Sequence, residues 1–170
     1  NTTIAHPLVL SPVESPVVSN QGTLSLLNTT VTGPQEPLSF SRPVIESENG
    51  GATNIQNSIV ARPGGLGPGC RGTVTSLGHN SFGDPTGCTV TLLPSAKTGD
   101  PGFGIFANGV VPLVSTSQAI DAGNRSACPA LDQLGLPRVD GNGDGVVVCD
   151  IGAAVFINHV VPLHVFFKHP

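Results

Sequence analysis

Four short passages recur along the first half of the chain: Asn1-Thr2-Thr3-Ile4-Ala5, Asn28-Thr29-Thr30-Val31-Thr32, Asn57-Ser58-Ile59-Val60-Ala61 and Asn80-Ser81-Phe82. Their asparagines stand 27, 29 and 23 positions apart. Alternating stretches precede the last three: Thr23 to Leu27, Ala52 to Gln56 and Thr73 to Leu77. Short strands repeating with a period in the twenties suggest a parallel β-solenoid, in which each coil buries its apolar face only by stacking on its neighbours. An Asn at each bend tolerates the left-handed backbone of a corner and can bond to the coil above and below. The competing architecture is a β-sandwich whose Asn-Ser/Thr turns recur by coincidence.

The reading is therefore an all-β chain of one domain. Residues 1–20 form an extended N-terminal segment, 21–88 the coils, 89–153 a loop-rich segment and 154–170 an apolar tail strand. The stretches from Pro34 to Pro43 and Pro63 to Gly69 read as loops between coils. Beyond Thr89 the period dissolves into Gly99 to Gly102 and Asn108-Gly109 turns, with Phe103, Ile105 and Phe106 expected to cap the core. No long helix is expected. Twenty-two Gly and 16 Pro residues, with charged residues at only 11%, agree with strands and turns.

Four cysteines, Cys70, Cys88, Cys128 and Cys149, include no CxxC pair. They allow three disulfide connectivities, of which local pairing within each half is the cheapest. The alternative is four free thiols in a cytosolic protein. Few charges and the sequons at Asn1, Asn28 and Asn124 suit disulfides, glycans and a secreted, extracellular or cell-surface setting. Asn28 is in tension with the repeat, which assigns it to a ladder position.

A net charge of −4 with seven Lys and Arg residues argues against a nucleic-acid partner. No apolar run is long enough for a transmembrane helix. Glu14, Glu36, Glu46, Glu48 and Arg42 share no strand face, and no nucleophile, zinc or phosphate-loop motif occurs, so no enzyme activity is expected. His159, His164 and His169 read as an exposed tail. Asp140, Asn142 and Asp144 match the start of a calcium loop, with a carbonyl from Val146. The twelfth position is Ile151, leaving Asp150, one place short, as an acid for a modified loop. Calcium is thus the one cofactor considered.

The first coil is expected to be open, since the sequence starts inside a repeat unit. Two apolar, Pro-interrupted segments are candidate assembly strands. One contains Leu8, Val9, Leu10, Val17 and Val18; the other contains Val155, Phe156, Val160, Val161, Val165, Phe166 and Phe167. Strand addition through them gives head-to-tail contacts and hence a homo-oligomer or filament. The second function considered is a carbohydrate-binding adhesin or lyase-like domain, for which the absence of Trp and Tyr removes the usual sugar-stacking platforms.

A longer series of motifs carries a family resemblance. Asn57-Ser58-Ile59-Val60-Ala61, the Cys70 loop, Ser76-Leu77-Gly78-His79-Asn80, Gly99-Asp100-Pro101, Ser117 to Asn124, Cys128-Pro129-Ala130, Asp132 to Gly135, Pro137-Arg138 and Cys149 to Ala153 occur in that order. The series resembles the C-terminal part of bacterial secreted proteins of the choice-of-anchor Q domain type, over roughly residues 20 to 155. The resemblance implies a right-handed parallel β-helix exported to the cell surface or beyond, and no defined enzyme activity. Leu134 stands where the family has Arg, Gln118 where it has Pro, and Ala154-Val155 where it has an aromatic-acidic pair.

Overall fold

The computed structural model describes residues 1–5, 16–34 and 42–157. It is nearly all β, and helix among these residues is confined to two 3₁₀ turns, Pro63–Gly65 and Arg125–Ala127. The strands are β1 (Thr2–Ala5), β2 (Val18–Asn20), β3 (Thr23–Leu27), β4 (Thr29–Thr32), β5 (Ile45–Ser47), β6 (Ala52–Gln56), β7 (Ile59–Ala61), β8 (Cys70–Ser76), β9 (Ser81–Phe82), β10 (Cys88–Thr89) and β11 (Lys97–Thr98). Every pairing between these strands is parallel.

The pairings fall into columns. One sheet runs β1-β4-β7-β9-β11. A second column stacks β2, β5 and the start of β8, and a third stacks β3, β6, the rest of β8 and β10. The chain visits the columns in the same order on successive passes. Parallel neighbours cannot be joined by tight hairpins, and here the connection back to each column is the rest of a pass.

The alternation of strand side chains decides what lies on each face. Leu26, Val31, Ile55, Val60, Val74 and Phe82 point between the columns and form the first core with Val44, Ile45 and Cys70. On β7, Ile59 and Ala61 point the other way and are nonetheless buried, in a second core with Leu113, Ala119, Ile151 and Phe156. Strands β4 and β7 are buried at every position because the segment after Gly99 folds back over their outer face. Gly152 N donates to Asn57 O and Ala153 N to the Thr30 hydroxyl, tying that segment to the corner before β7 and to β4.

This second core replaces the expected cap. Only Phe103 joins it; Ile105 and Phe106 are exposed on the arm between the Phe103–Leu113 and Ala107–Val110 bridges.

The Asn corners are present, with one correction. Asn28 and Asn57 both have left-handed φ, 49° and 48°, and Asn57 Nδ2 donates to Asn28 Oδ1 at 3.2 Å. Asn1 occupies the same column by register, one residue before the Thr2–Thr29 pair. At the next level the corner residue is His79 (φ 55°), not Asn80, since Ile59 pairs with Ser81. Asn80 belongs to the adjacent rung, where its Oδ1 accepts from Ser58 N and its Nδ2 donates to Ile55 O. Ser58 does the same for the level below, its hydroxyl accepting from Thr29 N.

Candidate functional site

Two regions were expected to carry function: the open edge with the apolar termini, and the acidic loop near the last cysteines. At the edge, β1, β2 and β3 have a ladder partner on one side only among the described residues. Ala52 N donates to Gly22 O and Asn28 N to Gln56 O. The even positions of β3 therefore face β6, and Thr23 and Ser25 turn their N–H and C=O groups toward the open side. An unpaired parallel edge of this kind is a template for a further strand.

The apolar termini are only partly available to that edge. Val18 pairs with Ile45 inside the second column, and Val17 packs on the first core. Val155 and Phe156 are removed from the assembly set: both are buried, Val155 N donates to Asp132 Oδ2, and Phe156 joins the second core. They serve this chain's own packing instead. Leu8, Val9, Leu10, Val160, Val161, Val165, Phe166 and Phe167 lie outside the described residues, as do Glu14, Glu36, His159, His164 and His169.

Both disulfides form with the local connectivity. Cys70–Cys88 joins the starts of β8 and β10 (Cα–Cα 5.3 Å), and Cys128–Cys149 closes the loop-rich segment (5.6 Å). The latter lies against the Asn corner, with Asn57 Nδ2 3.6 Å from Cys149 Sγ. Among the sequons, Asn28 is corrected. It is 2% exposed and its Nδ2 donates to Ala127 O, so the atom a glycan would occupy is committed inside the fold. Asn1 is exposed, and Asn124 caps the short turn Arg125–Ala127 through its Oδ1.

In the acidic loop the side chains organise the backbone. Asp140 accepts from Gly143, Asp144 and Gly145 N–H groups, Asn142 from Asp144 N, and Asp144 from Val146 N. Asp150 does not belong with them. It is 1% exposed, its Oδ1 accepting from Asp121 N at 2.8 Å and its Oδ2 from Phe156 N. Burial pushes its pKa up to about 6, against the opposing effect of those two backbone donors. It is a core acid that fixes the fold-back, and it leaves the calcium set. Among the described residues no three acids, histidines or cysteines converge on one point. What remains for a cation is Asp140, Asn142, Asp144 and the Val146 carbonyl.

The sequence reading missed a set of structural carboxylates and a cleft. Asp132 is buried and accepts from Leu134, Leu136 and Val155 N–H groups. Asp121 has left-handed φ (50°), and its Oδ2 accepts from Gly141 and Asn142 N–H groups. Burial raises the Asp121 pKa, with the Asp140 and Asp144 charges adding to the effect. The short acceptor side chain followed by Gly or a small residue is a signal that finds such turns, but it does not say which are buried. The cleft lies between the His79 corner and residues 118–125; its volume is about 540 Å³.

No protein-family model, curated protein or solved structure matches this chain.

Proposed function

We propose that this chain is a structural module of an extracellular assembly, a right-handed parallel β-helix that joins a second copy of itself through the open edges of β1, β2 and β3. The observation that carries this reading is that all three columns end on an unpaired parallel strand, at one end of the stack, among the described residues. The strict column order, the Asn28–Asn57 rung and the two disulfides support a coiled, secreted scaffold. The resemblance to choice-of-anchor Q domain proteins points the same way and assigns no enzyme activity.

A copy docking head to tail, with its opposite end at β10 and β11 against this edge, extends the parallel ladder by about 4.8 Å per strand layer without closing on itself, so association continues into longer species. Purified protein is expected to show concentration-dependent multimers by sedimentation, with rods or fibres in negative stain. Ser25→Pro removes an edge N–H that faces the open side and is expected to shift that distribution to monomer with the fold retained. Wild-type protein that sediments as a monomer up to the highest soluble concentration defeats the proposal.

Calcium at the Asp140 loop is a subsidiary proposal. With the weak affinity of an extracellular site, on the order of 10⁻⁴–10⁻³ M, a few millimolar calcium stabilises by about 1–2 kcal/mol. For a chain of this size that raises the melting temperature by roughly 2–8 °C. A melt that neither calcium nor chelator moves removes the loop from consideration.

A further inference from the structure

The cleft beside the His79 corner holds a charge pattern that the assembly reading does not use. Its walls come from two parts of the chain: His79, Ser95 and Lys97 from the strand columns, and Gln118, Asp121, Asn124 and Arg125 from the segment that folds back. A volume near 540 Å³ lies inside the range of small-ligand sites, roughly 300–1,000 Å³.

Six of the seven Lys and Arg residues are described. Four of them are engaged. Arg42 and Arg71 pair with Glu46, Arg62 donates to Arg42 O, and Arg138 donates to Pro129 O and Asn1 Oδ1. Lys97 and Arg125 are the two without an acceptor among the described residues, and both line this cleft. The acid beside them, Asp121, forms no ion pair with either among the described residues. Asp121 commits Oδ2 to two backbone N–H groups, and its Oδ1 is buried away from solvent.

The neutral groups are equally specific. His79 Nδ1 lies 2.9 Å from Ala122 O, and because a carbonyl only accepts, that nitrogen carries the proton. Nε2 is then a hydrogen-bond acceptor in the neutral ring. The corner itself is held, since His79 N donates to Ser95 Oγ at 2.9 Å. At the Asn28 and Asn57 levels the corner side chain also bonds to the folded-back segment, at Ala127 and Asn124; His79 makes its contact at Ala122 and adds a ring nitrogen to the cleft.

We propose that this cleft binds an acidic saccharide, with Lys97 and Arg125 on the carboxylate or sulfate, and His79 Nε2 and the Gln118 amide on ring hydroxyls. Two cations and an aligned acceptor suit a ligand that is anionic and polyhydroxylated at once. A flat neutral sugar would demand an aromatic platform, which the cleft lacks. The proposal does not rest on self-association: the cleft lies at the levels of β9 and β11, away from β1, β2 and β3.

The test is calorimetric titration at low and moderate salt with trigalacturonate, a sulfated disaccharide, maltotriose and inorganic sulfate. Saturable binding of an acidic sugar is expected, weakened at least tenfold in Lys97→Ala/Arg125→Ala and by added salt, with no change in melting temperature. Lys97→Gln/Arg125→Gln is a second variant in case the first folds poorly. Binding by the sulfated probe alone assigns the anion to a sulfate ester, and binding by trigalacturonate to a uronate. The proposal is overturned by absence of binding to both acidic sugars, by equal affinity in the double variants, or by sulfate or maltotriose binding as tightly as the acidic sugars.

Discussion

Asn57→Ala is expected to cost about 3–5 kcal/mol, and to lower the melting temperature by roughly 10 °C or more. The side chain is fully buried and supports three partners. Its Oδ1 accepts from Asn124 N at 2.7 Å, and its Nδ2 donates to Asn28 Oδ1 and Asn124 O at 3.2 and 3.3 Å. Truncation leaves those groups without a partner in the interior, at about 1–3 kcal/mol for each one stranded. Ala also tolerates the φ of 48° poorly, adding roughly 1–2 kcal/mol. Asn57→Gly separates the two effects. It relieves the backbone but not the lost bonds, so the order of stability should be wild type, then Gly, then Ala. Chemical denaturation of the three proteins measures it. An Ala variant within 1 kcal/mol of wild type would mean that Asn57 does not couple the columns to the folded-back segment. Asn1, exposed at the end of the same column, is the internal control; Asn1→Ala should change little.

That one residue shows how far the sequence could be read. Asn28 and Asn57 announce a corner column because their spacing repeats and the strands ahead of them, Thr23–Leu27 and Ala52–Gln56, alternate cleanly. The third rung slips by one. Asn80 repeats the residue type, but register assigns the corner to His79, and a one-residue slip is invisible to a pattern that counts only asparagines. The column through Val18–Asn20 and Ile45–Ser47 was hidden for a different reason. Its strands are three residues long and lie beside Pro-rich stretches, too short to show a period of two. Ile59-Val60-Ala61 did carry a signal. An unbroken apolar run on a strand means that both faces are covered, and it foretells the second core without saying what supplies it. The cleft was not legible at all. Lys97 and Arg125 are 28 positions apart, and only the fold-back brings them to one cleft.

Asp150 should make the protein less stable as pH rises from about 4 to 7, the reverse of an ordinary ion-paired acid. Its folded pKa of about 6 lies above the ordinary value of 3.8 because burial opposes the charge. The folded state therefore holds the proton more tightly than the unfolded chain does. The resulting stabilisation is complete below pH 4 and is lost as pH passes through 6, on the order of 2–3 kcal/mol in all. Asp121 shifts in the same direction and adds to the trend. Asp150→Asn then asks a different question of the same site. Both carboxyl oxygens accept a backbone N–H, from Asp121 and Phe156. A protonated carboxyl keeps an acceptor on each oxygen, whereas an amide nitrogen has none and confronts one of those donors. The variant should lose about 2–4 kcal/mol near pH 4, and because it lacks the wild type's decline its profile is flatter and the gap narrows toward pH 7. Melting curves of both proteins across that range give the answer. A wild-type profile that climbs toward neutrality means the carboxylate is paired in the fold, and the fold-back is then held by charge rather than by its two backbone donors.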